Sequence, residues 1–249
     1  KSINYNIERI RFSILTSVFG VGVLLFFTIG GILNNLTIFV QAITASNILG
    51  AILLGLLLIV IGEIIEIPLA VYSTFYIEEK YGFNKTTTKT FVTDLFKNLL
   101  IQSIFSSILY AIVISIIENL GNNWWIFAFV AVFLLQLVIF YIYPVLILPL
   151  FNKFEPLEDE KFKEPIERLL KKIKFKAKGL FVMDGSLRSS HGNAFFTGFG
   201  SNKRIVFYDT LLETITPDEM ESILGHELGH YKLGHIKKTL ISSIFFGFA

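Results

Sequence analysis

Residues 124–148 read Trp124-Trp-Ile-Phe-Ala-Phe-Val-Ala-Val-Phe-Leu-Leu-Gln-Leu-Val-Ile-Phe-Tyr-Ile-Tyr-Pro-Val-Leu-Ile-Leu148, twenty-five positions without a charge. That is longer than the ~20 residues a helix needs to cross the hydrocarbon core of a bilayer. A Trp pair opens the run, and Tyr141 and Tyr143 stand near its end, as amphipathic rings do at headgroup level. Working outward, three more such runs precede it, at residues 12–32, 48–67 and 99–117. Pro68 is expected to close the second, and a truncated fifth begins at Thr239 and reaches Ala249. The reading is a multi-span helical membrane protein.

Composition agrees. Of 249 residues, 53% are hydrophobic and 17% charged, with 26 Phe, and the mean hydropathy is +0.64. These values exclude an ordinary soluble domain. A net charge of +2 without a basic tail argues against nucleic-acid binding. With no Cys, neither a disulfide framework nor thiolate chemistry is available, so a metal site must use His and carboxylates.

All 22 Lys and Arg fall in three places: before the first span, between the second and third, and between residues 150 and 238. The loops at residues 37–47 and 118–123 hold none. By the positive-inside rule the charged segments are cytoplasmic. The expected organisation is a transmembrane region at 1–150, a cytoplasmic domain at 151–238 and the start of a fifth span at 239–249.

The 151–238 block has soluble composition. Phe162, Ile166, Leu169, Leu170 and Ile173 recur at three- and four-residue spacing within 156–178, which predicts an amphipathic helix. Residues 180–183 and 205–208 read as strands, and 194–199 as a strand joined to the latter by a turn at 200–202. Thr216-Pro217 with Glu219 is a capping-box start for a further helix. An all-α membrane region therefore carries an α+β domain.

That last helix contains His226-Glu-Leu-Gly-His230. Positions i and i+4 of a helix share a face, so two imidazoles can meet one zinc ion, and Glu227 is placed to take a proton from the attacking water. A chance occurrence in a chain this long is below about one in a hundred. A catalytic zinc takes three protein ligands. His235 follows His230 by five residues, about 140° around the helix, so it does not join them unless the helix breaks at Gly234. The third ligand is expected beyond Ala249.

Further polar residues are weighed by position. Glu63 and Glu66, three apart near the end of the second span, either line an interior or sit at the interface. Arg188 and His191 flank Asn193 and either orient the zinc helix or a substrate carboxylate, or are a surface Arg and a satisfied loop His. Glu78, Glu79 and Lys80 read as a solvated cytoplasmic cluster.

Residues 184–212, Asp184-Gly-Ser-Leu-Arg-Ser-Ser-His-Gly-Asn-Ala-Phe-Phe through Tyr208-Asp-Thr-Leu-Leu212, and the His226–His235 stretch closely resemble the CAAX prenyl endoproteases. Ile77-Glu-Glu-Lys-Tyr-Gly-Phe-Asn84 and Pro149-Leu-Phe-Asn-Lys-Phe-Glu-Pro-Leu157 add to the likeness, which covers most of the chain from Pro68 onward. The resemblance implies an integral-membrane zinc metalloprotease of the ER, or of the inner membrane in a bacterium, with its catalytic domain cytoplasmic. It implies one Zn2+ on His226 and His230, Glu227 as general base, and a substrate lying as an added strand along Asn193, Ala194, Phe195 and Phe196. It also implies seven spans and a Glu as third ligand, so that this chain by itself is not expected to be a competent enzyme. The implied partners are the lipid bilayer and a peptide or protein substrate, prenylated at a CAAX terminus or drawn from membrane-protein quality control. The competing expectation is a non-catalytic scaffold or transporter-like protein with a structural or vestigial zinc helix.

Overall fold

The computed structural model describes residues 2–172, 175, 177–197 and 204–232. Its contacts divide into two units, at 1–132 and 133–249.

The first unit is helical. Helix α1 (Ser2–Ile29) ends at Gly30-Gly31, where Gly31 takes φ 75°, a left-handed conformation that costs glycine nothing. A short α2 (Ile32–Ile43) follows, then α3 (Asn47–Tyr72), which starts with the Ser46 hydroxyl accepting from Leu49 N–H. The helix runs on through a π-helical stretch, Ser73–Glu78, into α4 (Glu79–Tyr81). Gly82, at φ 80°, ends it. Thr87 caps α5 (Thr88–Asn119) by accepting from Thr90 N–H at 3.1 Å.

Two expectations are corrected here. Pro68 does not close the second span: α3 continues through it as an internal residue. A membrane helix tolerates the break because local π or 3₁₀ adjustment and neighbouring groups take up the freed carbonyl. Much of the 37–47 segment, expected to be loop, belongs to α2, whose 12 residues rise only about 18 Å.

Helices α3 and α5 are antiparallel partners held at three levels. Asn47 Nδ2 donates to Glu118 Oε1 at 2.7 Å, Gly55 lies against the Tyr110 ring, and Gln102 Nε2 donates to Glu63 Oε1 at 3.1 Å. Each level is eight residues further along α3 and eight back along α5, about 12 Å apart. One register therefore satisfies all three. Small residues such as Gly55 let helices approach closely where lipid offers no hydrophobic drive for association.

The foot of α1 is bolted to the end of α3. Tyr5 Oη donates to Glu78 Oε1 at 2.6 Å, Lys80 Nζ pairs with Glu8 at 2.8 Å, and Tyr81 Oη donates to the same carboxylate at 2.7 Å. Tyr5 also packs on Phe83, and Glu79 holds Asn84 at 2.9 Å. The Glu78-Glu79-Lys80 stretch, expected to be a solvated cluster, keeps Glu79 and Lys80 exposed but also ties α1 to the end of the α3 run.

The second unit begins within α6 (Trp124–Ile142), which continues through a π-helical turn, Tyr143–Ile147, to α7 (Leu148–Phe151). Strand β1 (Phe154–Pro156), helix α8 (Glu160–Lys172), β2 (Gly179–Met183), β3 (Ala194–Thr197) and β4 (Arg204–Tyr208) follow. The chain then enters α9 (Asp209–Thr214) and α10 (Pro217–Lys232). The sheet order is β1-β2-β4-β3, with β2 parallel to β4 and both outer pairs antiparallel. The expected pairing of the 194 and 205 segments holds, whereas Pro156 lies in a strand and α8 starts later, at Glu160.

One sheet face and two helices make the core. Ile205 and Phe207 of β4, fully buried, meet Ile166 and Leu170 of α8 and Met220, Leu224 and Leu228 of α10. Burial of each such side chain contributes about 1.5–3 kcal/mol. Positions 220, 224 and 228 recur every fourth residue, one stripe of a helix.

Among the described residues four helical runs, Ile3–Ile29, Asn47–Tyr81, Thr88–Asn119 and Gly121–Phe151, are long and apolar enough to cross a membrane. The fifth run expected from Thr239 lies outside the described residues.

Candidate functional site

Helix α10 begins at a reciprocal cap. Glu219 accepts from Thr216 N–H at 2.8 Å and from its hydroxyl at 2.9 Å, the capping box expected from the spacing. Hydrogen bonds from Thr216, the backbone one foremost, hold the Glu219 carboxyl below its ordinary range. The helix then passes through positions 226, 227 and 230, with Leu224 and Leu228 fixing its rotation in the core. His226 and His230 are thus one turn apart on a continuous helix, and only the backbone of 226, 227 and 230 is described. Among the described residues no group of three His, Asp or Glu side chains lies together as a metal site. His235 lies outside the described residues.

Among the described residues strand β3 ends the sheet on the side opposite β1. Tyr208 N–H donates to the Asn193 carbonyl at 2.9 Å, which makes 193 and 208 a hydrogen-bonded pair. Antiparallel alternation then turns the backbone of Phe195 and Thr197 toward β4, and that of Ala194 and Phe196 outward. The Ala194 N–H is occupied by Asn193 Oδ1 at 2.8 Å. The outward groups are therefore the Ala194 carbonyl and the N–H and carbonyl of Phe196. Ala194 itself is buried in the same core as Leu224 and Leu228, so strand edge and α10 share one packing unit.

The loop leading to β3 is fixed from several sides. Asp209 Oδ1 accepts from Ser186 N–H and Thr210 N–H, each at 2.8 Å, and its other oxygen from the Ser186 hydroxyl. Thr210 Oγ1 donates to the His191 carbonyl at 2.9 Å. Asp184 accepts from Lys153 N–H at 2.8 Å, and Arg188 donates to Phe151 O at 2.8 Å and Asn152 Oδ1 at 3.0 Å. A cation on the last carbonyl of α7 suits a helix C-terminus. Arg188 thus ties the end of that helix to the loop before β3 and is half-buried rather than a surface Arg. The sequence reading missed Asp184 and Asp209, whose partners lie 31 and 23 residues away. Only the long 184–212 likeness marked that stretch.

In the membrane unit, Glu63 and Glu66 lie well inside the Asn47–Tyr81 run. Glu66 contributes to a cavity of about 720 Å³ between α1 and α3 whose lining includes Thr16, Ser17 and Gly62.

Fold and site together define a multi-span helical membrane protein that carries a small α/β domain with the zinc-helix signature at one sheet edge. The family model for the CAAX prenyl protease N-terminal region, five membrane helices, matches residues 1–153, and that for peptidase family M48 matches residues 156–248. The chain belongs to the CAAX prenyl protease family of M48 peptidases. It is similar to the CAAX prenyl protease 1 homolog of Arabidopsis thaliana, with 45% identity over 72% of this chain and 43% of that protein. With CAAX prenyl protease 1 of Saccharomyces cerevisiae it shares 41% identity over 74% of this chain and 41% of that protein. The crystal structure of S. mikatae Ste24p superposes with a TM-score of 0.91 at 33% identity, covering 98% of this chain and 58% of that one. This chain thus spans less than half the length of these curated relatives. Their membership places it among integral membrane proteins of a metalloprotease family.

Proposed function

We propose that the protein containing this chain is a membrane-embedded zinc endopeptidase that cleaves near the C-terminus of CAAX-type prenylated proteins. The observation that carries this reading is the common core of α10 and β3. It supports a catalytic helix and a substrate-binding edge held in fixed relation.

His226 and His230, one turn apart, are the proposed metal ligands, and two imidazoles beside a carboxylate are a donor set that suits zinc. When bound, the metal supplies a Lewis acid for the scissile carbonyl and lowers the pKa of water. Glu227 takes the proton of the attacking water and delivers it to the leaving amine. The substrate pairs as a strand with the outward groups of Ala194 and Phe196, Asn193 serves to shape the start of that edge, and Phe195 keeps the strand on the sheet. Such main-chain reading accepts varied side chains.

The Lys and Arg distribution supports a cytoplasmic site at the surface of the membrane bearing the protein, with membrane region, catalytic block and fifth span divided near residues 150 and 238. An unprenylated stretch of a failing membrane protein is the second substrate this machinery would accept. The scaffold reading loses ground because the chain belongs to a peptidase family.

The test is cleavage of a fluorogenic prenylated CAAX peptide by the detergent-purified full-length protein. Glu227→Gln should lower kcat by at least about 10²-fold while metal content by elemental analysis stays at one per chain. Loss of metal in that variant would assign Glu227 a structural role, and full activity without metal would overturn the proposal.

A further inference from the structure

A cleft of about 470 Å³ in the second unit lies between the helix run ending at Phe151 and the sheet face turned away from α8 and α10. Pro144 and Pro149 form one wall, and Phe181 and Val206 line it from the sheet. Among the described residues none of α10 lines it, and of β3 only Thr197, at the strand's far end from Ala194, does so.

The helix itself gives the depth of the cleft. From Trp124-Trp125 to Tyr141 and Tyr143 is about 17 residues, which rise roughly 26 Å. That matches a hydrocarbon core of about 30 Å bounded by aromatic belts. Pro144 and Pro149 follow directly, which places the cleft at the headgroup layer. Val145, Leu146 and Leu150 on the same run are exposed apolar side chains, a surface that suits acyl chains.

Charge gives its preference. Among the described residues the charged groups lining the cleft are Lys153, Arg204 and Glu155, a net charge of one positive. The only bond of Lys153 to a carboxylate is through its backbone N–H, to Asp184, so its ammonium has no carboxylate partner among the described residues. Arg204 likewise has none among them, and its guanidinium lies over the Phe181 ring at 5.3 Å. A guanidinium held against an aromatic face keeps its planar fork of donors for a phosphate.

We propose that this cleft seats the phosphodiester of a glycerophospholipid headgroup, bound by Arg204 and Lys153. One negative charge on the lipid matches one net positive charge in the cleft. A free phosphate ion shares that chemistry but gains nothing from the apolar wall or the depth.

The test uses full-length protein in mild detergent, phosphatidylglycerol as the probe, and native mass spectrometry as the readout. The unmodified protein should retain one lipid per chain, and the Lys153→Gln/Arg204→Gln variant should retain it at least about tenfold more weakly, the loss of a charge-assisted hydrogen bond. Lys163→Gln, which removes an exposed cation elsewhere, should retain lipid like the parent. Equal retention by the double variant, or an equal loss in Lys163→Gln, would overturn the site. Displacement of the lipid by millimolar inorganic phosphate would overturn the lipid assignment. Should the double variant fail to fold, each single variant carries the same comparison, with a several-fold loss expected.

Discussion

At the scale of single residues, the most consequential side chains are those that close a local geometry. Glu219 titrates below its ordinary value because hydrogen bonds from Thr216 favour its ionised form. The stabilisation is therefore fully present above the ordinary carboxylate value and is lost as the pH falls through the depressed one. Thermal unfolding of the purified protein between pH 3 and 6 should show an acid-side loss that is smaller in Glu219→Gln. A pH profile unchanged by that substitution would show that the cap does not contribute. Gly55 makes a parallel case in the membrane, since a Cβ there would overlap the Tyr110 ring. Gly55→Ala should destabilise the protein by about 1–3 kcal/mol, the usual cost of overpacking, and Tyr110→Leu in the same chain should restore most of it. The capping box was legible from Thr216-Pro217 and Glu219, because its partners are three residues apart. The Gly55 contact was not, because its partner lies on another helix.

At the scale of elements, β3 matters through its edge. Phe196→Pro removes the outward N–H and should raise KM by at least about tenfold, equivalent to about 1.4 kcal/mol, with metal content unchanged. Phe195→Pro removes an N–H that faces β4 and should instead lower the melting temperature. Equal effects of the two on KM would rule out strand addition. That 194–197 forms a strand was readable from its apolar composition and its distance to 205–208. Its place at the end of the sheet came only from the family resemblance, because local pattern does not give strand order; β1, at three residues, is too short to carry a pattern at all. The expected stop of α3 at Pro68 failed for a different reason: the rule for soluble helices gave way to the rule for lipid.

At the scale of the whole molecule, the spans were the most legible feature, because crossing lipid requires length and apolarity that composition displays directly. The zinc helix was equally plain as a motif. Which side of the membrane it occupies rests on charge distribution, and these 249 residues contain no Cys, so with any Cys elsewhere in the full-length protein replaced by Ser that is testable. In the full-length protein, Ala45→Cys and Asn122→Cys should react with a membrane-impermeant maleimide added from outside, and Lys85→Cys only after permeabilisation. The reverse pattern would invert the topology. What stayed hidden is the long-range polar wiring: no local periodicity links Arg188 to Phe151, or Glu8 to Lys80, since each pair meets only once the chain has folded.

The junction of Tyr5 and Glu8 with Glu78, Lys80 and Tyr81 spans more than seventy residues of chain. At a synthesis rate of about 5–20 residues per second, Lys80 and Tyr81 emerge roughly 4–15 s after Glu8. During that interval Glu8 has neither Lys80 nor Tyr81 to bind. The order of translation thus imposes a waiting period on this end of α1, which ends only when the last turn of the α3 run has been made.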